Sequence, residues 1–169
     1  FKKACDNGYL SACVSLAHIQ EKQAPQKSLS LMEKACEADE MSACSALALN
    51  VIKSDKKRAF QLQKEACEGG DIHACTHLGW MRHLGIASVA NTAKALSLFK
   101  ESCHRGSVLG CTELGSFQRH GIGIPKDQDG ARSNYTKACD AKYQKACALL
   151  AEMNVKANVI NEDLLIPQL

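Results

Sequence analysis

Aromatic residues are scarce in this chain, at 5% of 169 residues, with a single Trp. That disfavours a thick globular core, because Phe, Tyr and Trp bury the most area per side chain. The apolar residues that are present are mostly Ala, Leu and Cys, which suit thin helix-on-helix interfaces. Positive charge is neither abundant nor clustered: the net charge is +3, with Lys and Arg spread along the chain. A nucleic-acid footprint needs a basic patch, so that class of partner is not expected. No apolar run approaches the ~20 residues that span a bilayer, so membrane insertion is not expected either. No secretory signal is visible. Phe1 is not an initiator methionine, and the chain is expected to begin after a processed or trimmed segment.

What the chain does have is cysteine. Its ten cysteines fall into five pairs eight positions apart: Cys5 and Cys13, Cys36 and Cys44, Cys67 and Cys75, Cys103 and Cys111, and Cys139 and Cys147. Successive pairs are offset by 31, 31, 36 and 36 residues, so this is a repeat protein. Evenly paired cysteines favour disulfides and an oxidising compartment, because cytosolic thiols are kept reduced. Reduced, buried thiols acting as small hydrophobes and metal ligation remain open on spacing alone.

The register around each pair is helical. Three residues after each second cysteine stands Leu (Leu16, Leu47, Leu78, Leu114, Leu150), and the next residue is always small (Ala17, Ala48, Gly79, Gly115, Ala151). Cysteine, Leu and the small residue share one helical face, here called helix A, and the small residue lets a neighbouring helix approach closely. Upstream of each first cysteine runs a second amphipathic helix, B, as in KKRAFQLQKEACEG and TAKALSLFKESCHRG. Four residues before the first cysteine stand Phe1, Met32, Gln63, Phe99 and Tyr135, so Phe1 is expected to belong to the helix B of an incomplete repeat. Turn formers such as Asp6-Asn7-Gly8 and Gly69-Gly70-Asp71 lie between the cysteines, and helix B is expected to bend sharply into the next helix A. The five extra residues of the longer repeats fall between helices A and B, around Leu84–Thr92 and His120–Asp129, where Gly121, Gly123 and Pro125 mark a loop.

Leu114-Gly115, Gly121-Ile122-Gly123-Ile124 and Ala131 resemble the Sel1-like repeat, and the paired cysteines resemble its cysteine-rich branch, typified by the Helicobacter cysteine-rich proteins. The chain departs from that pattern where Arg82 and Gln118 replace an aromatic residue and where Ala87 replaces a second Gly. The resemblance implies an all-α fold, a right-handed α-solenoid of Sel1-like, TPR-like helix pairs with helix A on the concave side. It also implies that each C-x7-C pair is a disulfide joining helix B to the following helix A. The expected organisation is a repeat array over residues 1–158, about four full repeats with partial terminal ones. A capping tail over 159–169 is expected to follow, with a short helix starting near Asn161, Glu162 and Asp163.

Residues one, five and eight after each second cysteine face away from helix B and are expected to line the groove: Val14, His18 and Glu21, then Thr76, Trp80 and His83, then Thr112, Ser116 and Arg119. Of these, His18, Thr76, Trp80, His83, Thr112, Ser116 and Arg119 are the expected partner-binding residues. Trp80 draws most attention, since Trp is enriched among binding hot spots, although a place in a seam between repeats fits it as well. His73 and His77, with His83 near, have metal-like spacing, but histidines at this spacing are usually a polar helix face, and no metal or cofactor is expected. Relatives of the cysteine-rich branch are associated with β-lactam or peptidoglycan-fragment binding and hydrolysis. Ser54-x-x-Lys57 and Ser97-x-x-Lys100 match one serine β-lactamase motif, but its S-D-N and K-T-G companions are missing. The resemblance also reaches mitochondrial intermembrane-space factors for which haem has been proposed. The reading from sequence is therefore a monomeric, non-enzymatic, exported bacterial module, periplasmic or secreted, that binds another protein. An effector-neutralising immunity protein and a host-interacting factor are forms of that role.

Overall fold

A computed structural model describes residues 1–6, 9–20 and 22–163, with side chains for all of these except 6 and 155–163. The described residues form ten α-helices and no strands: α1 (Lys2–Asp6), α2 (Leu10–Gln20), α3 (Pro25–Glu37), α4 (Met41–Val51), α5 (Lys56–Glu68), α6 (Ile72–Leu84), α7 (Thr92–His104), α8 (Val108–His120), α9 (Gln128–Asp140) and α10 (Gln144–Asp163). Even-numbered helices from α2 onward are the A helices and odd-numbered ones the B helices. The fold is all-α, the helix-pair repeat of an α-solenoid. It divides into two compact units, with the boundary inside α7 between Leu98 and Phe99.

Helix starts follow local chemistry. Asp55, Asp71 and Asp127 accept from backbone N–H groups of α5, α6 and α9, satisfying donors that a helix leaves unpaired, and Pro25 occupies the first turn of α3. The loops of the longer repeats close alike. Asn91 N–H donates to Arg82 O at 2.7 Å, and Asp127 N–H donates to Gln118 O at 2.9 Å. Arg82 and Gln118 hold the place of an expected aromatic residue, and each makes other contacts. Arg82 lies 4.6 Å over the Phe60 ring, and Gln118 donates to Asp127 and accepts from Asn134. Ala87 retains a left-handed conformation, φ +55, where the repeat pattern has Gly.

In the N-terminal unit α2 and α4 each pack on the B helices before and after them, α6 packs on α5, and α4 touches both neighbouring A helices, α2 and α6. The core is thin, built from Ala17, Met32, Leu47, Ala59, Leu62, Ala66 and Met81. In the C-terminal unit α9 packs on α8 and α10, around Phe99, Phe117, Ala131 and Tyr135.

All five cysteine pairs are disulfides: Cys5 with Cys13, Cys36 with Cys44, Cys67 with Cys75, Cys103 with Cys111, and Cys139 with Cys147. Their Cα–Cα distances are 4.4 to 4.7 Å, and each joins the end of a helix B to the start of the next helix A. No cysteine is free among the described residues. The partners of a bridge differ in burial. Cys13, Cys44, Cys75 and Cys111 on the A helices are buried, whereas the first cysteine of each pair is half-buried. Cys147 departs from its counterparts and is only half-buried. Cys111 packs with Ala138 and Ala146 of the helix pair that follows it, and no helix pair follows Cys147 among the described residues. The expected helix break before Asn161 is absent: α10 continues to Asp163, because no Gly or Pro interrupts it. Residues 164–169, with the rest of the expected cap, and residues 7, 8 and 21 lie outside the described residues.

Under the four disulfides whose turns are fully described, the residue three after the first cysteine stands at positive φ: Asp39 (+62), Gly70 (+102), Gly106 (+91) and Lys142 (+66). Two of the four are Gly, which reaches this region without strain. Lys142 carries a Cβ there, and its exposed side chain gives nothing back. Lys142→Gly is expected to stabilise the fold by about 0.5–1 kcal/mol, the relieved strain exceeding the entropy gained by the unfolded chain. A higher urea midpoint at unchanged slope is the expected readout. Asp39→Gly should gain less, because Asp tolerates this conformation better.

Candidate partner-binding face

The A helices of both units carry the expected site residues. In the N-terminal unit, α4, α5 and α6 with the following loop enclose a half-open hollow of about 340 Å³. Its lining is Ala48, Leu49, Ile52, Gln63, His77, Trp80, Met81, Leu84 and Ile86. Leu49 and Trp80 hold the same register, five residues after Cys44 and Cys75. Trp80 is half-buried, and its ring meets that of His83 edge-on with centroids 5.7 Å apart. His83 Nδ1 lies 3.1 Å from the Thr92 hydroxyl. Trp80 thus lines the hollow where residues of the neighbouring A helices α4 and α6 come together.

The Gln63 side chain is buried but hydrogen-bonded. Its Oε1 accepts from the Ser45 hydroxyl at 3.1 Å and its Nε2 donates to Ser45 O at 3.2 Å. Burial of the His77 imidazole pushes its pKa below the ordinary 6.5, Asp71 partly opposing this and His73 adding to it. The unfolded chain then binds a proton at His77 more readily than the folded chain. The stability this group contributes is complete above about pH 6.5 and is lost as pH falls through the depressed folded value. The thermal midpoint should drop on acidification through this window, and His77→Gln should flatten that drop. An identical pH profile in the variant would rule His77 out as a source.

Thr76 and Thr112 do not line a surface. Both are buried, at 2% and 0% exposure, and Val14 at the same register is buried too. Their hydroxyls donate to the carbonyls one turn back, Ile72 O at 3.3 Å and Val108 O at 2.7 Å. In the N-terminal unit α4 meets the adjacent A helices α2 and α6 as well as the B helices α3 and α5, so it packs on more than one flank. His18 is exposed on α2, and Glu21 lies outside the described residues. In the C-terminal unit Ser116 donates to Thr112 O at 3.0 Å and lies 3.0 Å from the Tyr135 hydroxyl. Arg119 is half-buried, and its guanidinium donates to Glu152 at 3.2 Å. The face around α8 and α10 is thus polar and paired, with a second ion pair between Lys145 and Glu113 at 3.1 Å. Leu49 and Ile52 were absent from the sequence-based set. Their signal was available, since they stand five and eight residues after Cys44, where Trp80 and His83 stand after Cys75.

Among the described residues no group of three or more His, Cys, Asp or Glu is placed to hold a metal ion. No described helix is long and apolar enough to cross a membrane. The Ser97 hydroxyl donates to Lys94 O at 2.8 Å on the exposed side of α7, and that of Ser54 donates to Val51 O at 3.0 Å. The disulfide-stapled bends, from Cys5 with Cys13 to Cys139 with Cys147, point to an oxidising compartment outside the cytoplasm.

The Sel1 repeat family model matches residues 19–40, 44–71, 72–107 and 108–143. Among solved structures, Helicobacter pylori cysteine rich protein B is 29% identical, with a TM-score of 0.61 over 74% of this chain and 93% of that one. A Sel1 repeat protein from Oxalobacter formigenes is 18% identical, with a TM-score of 0.75 over 85% of this chain. This chain spans 62% of that protein's length. Immunity protein Pa5087 from Pseudomonas aeruginosa is 20% identical, with a TM-score of 0.68 over 86% of this chain and 57% of that one. A comparison with curated protein sequences finds no match.

Proposed function

The chain belongs to the Sel1 repeat family, and from that premise we propose that it is an exported interaction module that binds another protein through its A helices and performs no chemistry of its own. The observation that carries this reading is the apolar hollow at Trp80. Leu49 and Leu84, at 49% and 60% exposure, extend its apolar surface into solvent. Exposed apolar surface next to a half-buried Trp is the composition of a binding hot spot. The disulfides support an oxidising location, which in a bacterium is periplasmic or secreted. The fold likeness to a Pseudomonas immunity protein is compatible with a narrower role, neutralising a toxic effector, and a host-interacting factor fits the same chemistry.

The test is capture from the native envelope fraction by the oxidised, immobilised chain. One protein should be retained reproducibly. Trp80→Ala should weaken its retention at least tenfold while far-UV helicity is kept. β-Lactam turnover by the purified chain, abolished by Ser97→Ala, would replace this reading with an enzymatic one.

A further inference from the structure

We propose that the hollow between α4, α5 and α6 is a socket for one uncharged apolar side chain, aromatic or branched aliphatic, presented by the bound protein. This deepens the protein-binding reading and rests on it. Two features of the site carry it: its apolar lining and the state of its polar groups.

Ala48, Leu49, Ile52, Met81, Leu84 and Ile86 offer only hydrocarbon and thioether surface. Gln63 borders the hollow, but both ends of its amide are already held by Ser45, at 3.1 and 3.2 Å. Burial lowers the pKa of His77, which favours its uncharged form near neutral pH. The site therefore supplies no charge to meet an ionic group, and a charge placed there would lose its hydration without compensation. Electrostatic complementarity selects an uncharged occupant.

The chemistry of the site, rather than its size, separates a side chain from a free small molecule. The volume, about 340 Å³, lies at the low end of the ~300–1,000 Å³ usual for small-molecule pockets. Such pockets fix their ligand with a few convergent polar groups. The Gln63 amide, which would be the natural one here, is engaged within the protein. A side chain on a polypeptide needs no such group, because the backbone and neighbouring contacts orient it. The rim has the matching character, since Leu49 and Leu84 remain exposed around the mouth. The corresponding register in the C-terminal unit carries Ser116 and the ion-paired Arg119, so it builds no like socket from these residues.

Trp80 is the only Trp of the chain and lines the hollow, so its emission reports occupancy directly. The experiment pans a displayed library of random twelve-residue peptides against the oxidised chain. Enriched peptides lacking Trp are then titrated by Trp80 fluorescence. They are expected to share one Leu, Ile, Val or Phe at a fixed place. Replacing it by Ala should weaken binding at least ~30-fold, the size of a hot-spot loss. Leu49→Asp should cause a comparable loss, whereas Val89→Asp, at an 89% exposed apolar residue outside the hollow, should change nothing. Leu84→Asp serves as the second variant should Leu49→Asp reduce helicity. Peptides that bind Leu49→Asp and Leu84→Asp as tightly as the parent would overturn the socket while leaving the protein-binding reading intact. If no peptide is enriched but uncharged N-phenyl-1-naphthylamine quenches Trp80 in the parent and not in Leu49→Asp, the occupant is a small molecule and the proposal fails. If neither peptide nor probe binds, the socket fails, while capture from the envelope fraction still decides the protein-binding reading.

Discussion

Under full reduction in native buffer, the chain is expected to lose its cooperative melt and most of its far-UV helical signal. Each bridge closes a loop of nine residues, counted inclusively, across the bend from helix B to helix A. The chain-entropy relation gives about 2.6 kcal/mol for a loop of that size, and about 13 kcal/mol for five as an upper limit. A typical domain has only ~5–15 kcal/mol of net stability. The core has little to set against that loss. It is poor in aromatics, and each repeat buries surface mainly against its neighbours, so stability is close to a sum of local terms. Removing one bridge, as in Cys67→Ser with Cys75→Ser, should cost about 2–3 kcal/mol and act mainly at its own bend. Circular dichroism and calorimetry with and without a phosphine reductant measure both effects. An unchanged thermal midpoint after complete reduction would show that helix packing alone holds the array.

The cysteine spacing made the architecture legible because the recurring information is local. Cys75, Leu78 and Gly79 define one helix face within five residues, and the same face recurs at Cys111, Leu114 and Gly115. The turn conformation is equally local: Asp39 and Lys142 occupy the register of Gly70 and Gly106 and take the same positive φ. The burial of Thr76 and Thr112 was not legible in this way. An amphipathic pattern identifies only the flank against helix B, whereas tertiary contacts such as those of α4 with α2 and α6 join residues about thirty positions apart and leave no trace in a local window. The hollow escaped for the same reason. It needs Leu49 and Ile52 from one repeat and Trp80 and Leu84 from the next, and no single window contains both. Gln63 shows the limit of reading by position. It stands where other repeats have Met32, Phe99 and Tyr135, yet it is buried as a polar group because Ser45, eighteen residues earlier, satisfies it.

Among single substitutions, Tyr135→Ala is expected to be especially damaging, lowering the stability of the C-terminal unit by about 3–5 kcal/mol, as for other large aromatic truncations. Tyr135 is fully buried, and its ring fills the space left by Gly115. A Cβ at Gly115 would come within 2.9 Å of Tyr135 Cε1 and 3.2 Å of Ala131 O. The hydroxyl is used as well. Ser116 gives its one proton to Thr112 O, so the Tyr135 O–H donates to Ser116 Oγ across 3.0 Å. Tyr135→Phe removes only this bond and should cost about 0.5–1.5 kcal/mol. Gly115→Ala gains about 1 kcal/mol of helix propensity but meets an overpacking penalty of about 1–3 kcal/mol, so a small net loss is expected. The two positions must then be coupled. With Tyr135→Ala already present, the added methyl enters the cavity, and Gly115→Ala should become neutral or stabilising. Denaturant titration of the four species measures that coupling, expected at about 1–3 kcal/mol. If Gly115→Ala cost the same in both backgrounds, the close approach of α8 to α9 would not depend on the fit of ring to glycine. The small residue four places after each second cysteine would then be serving backbone contact alone.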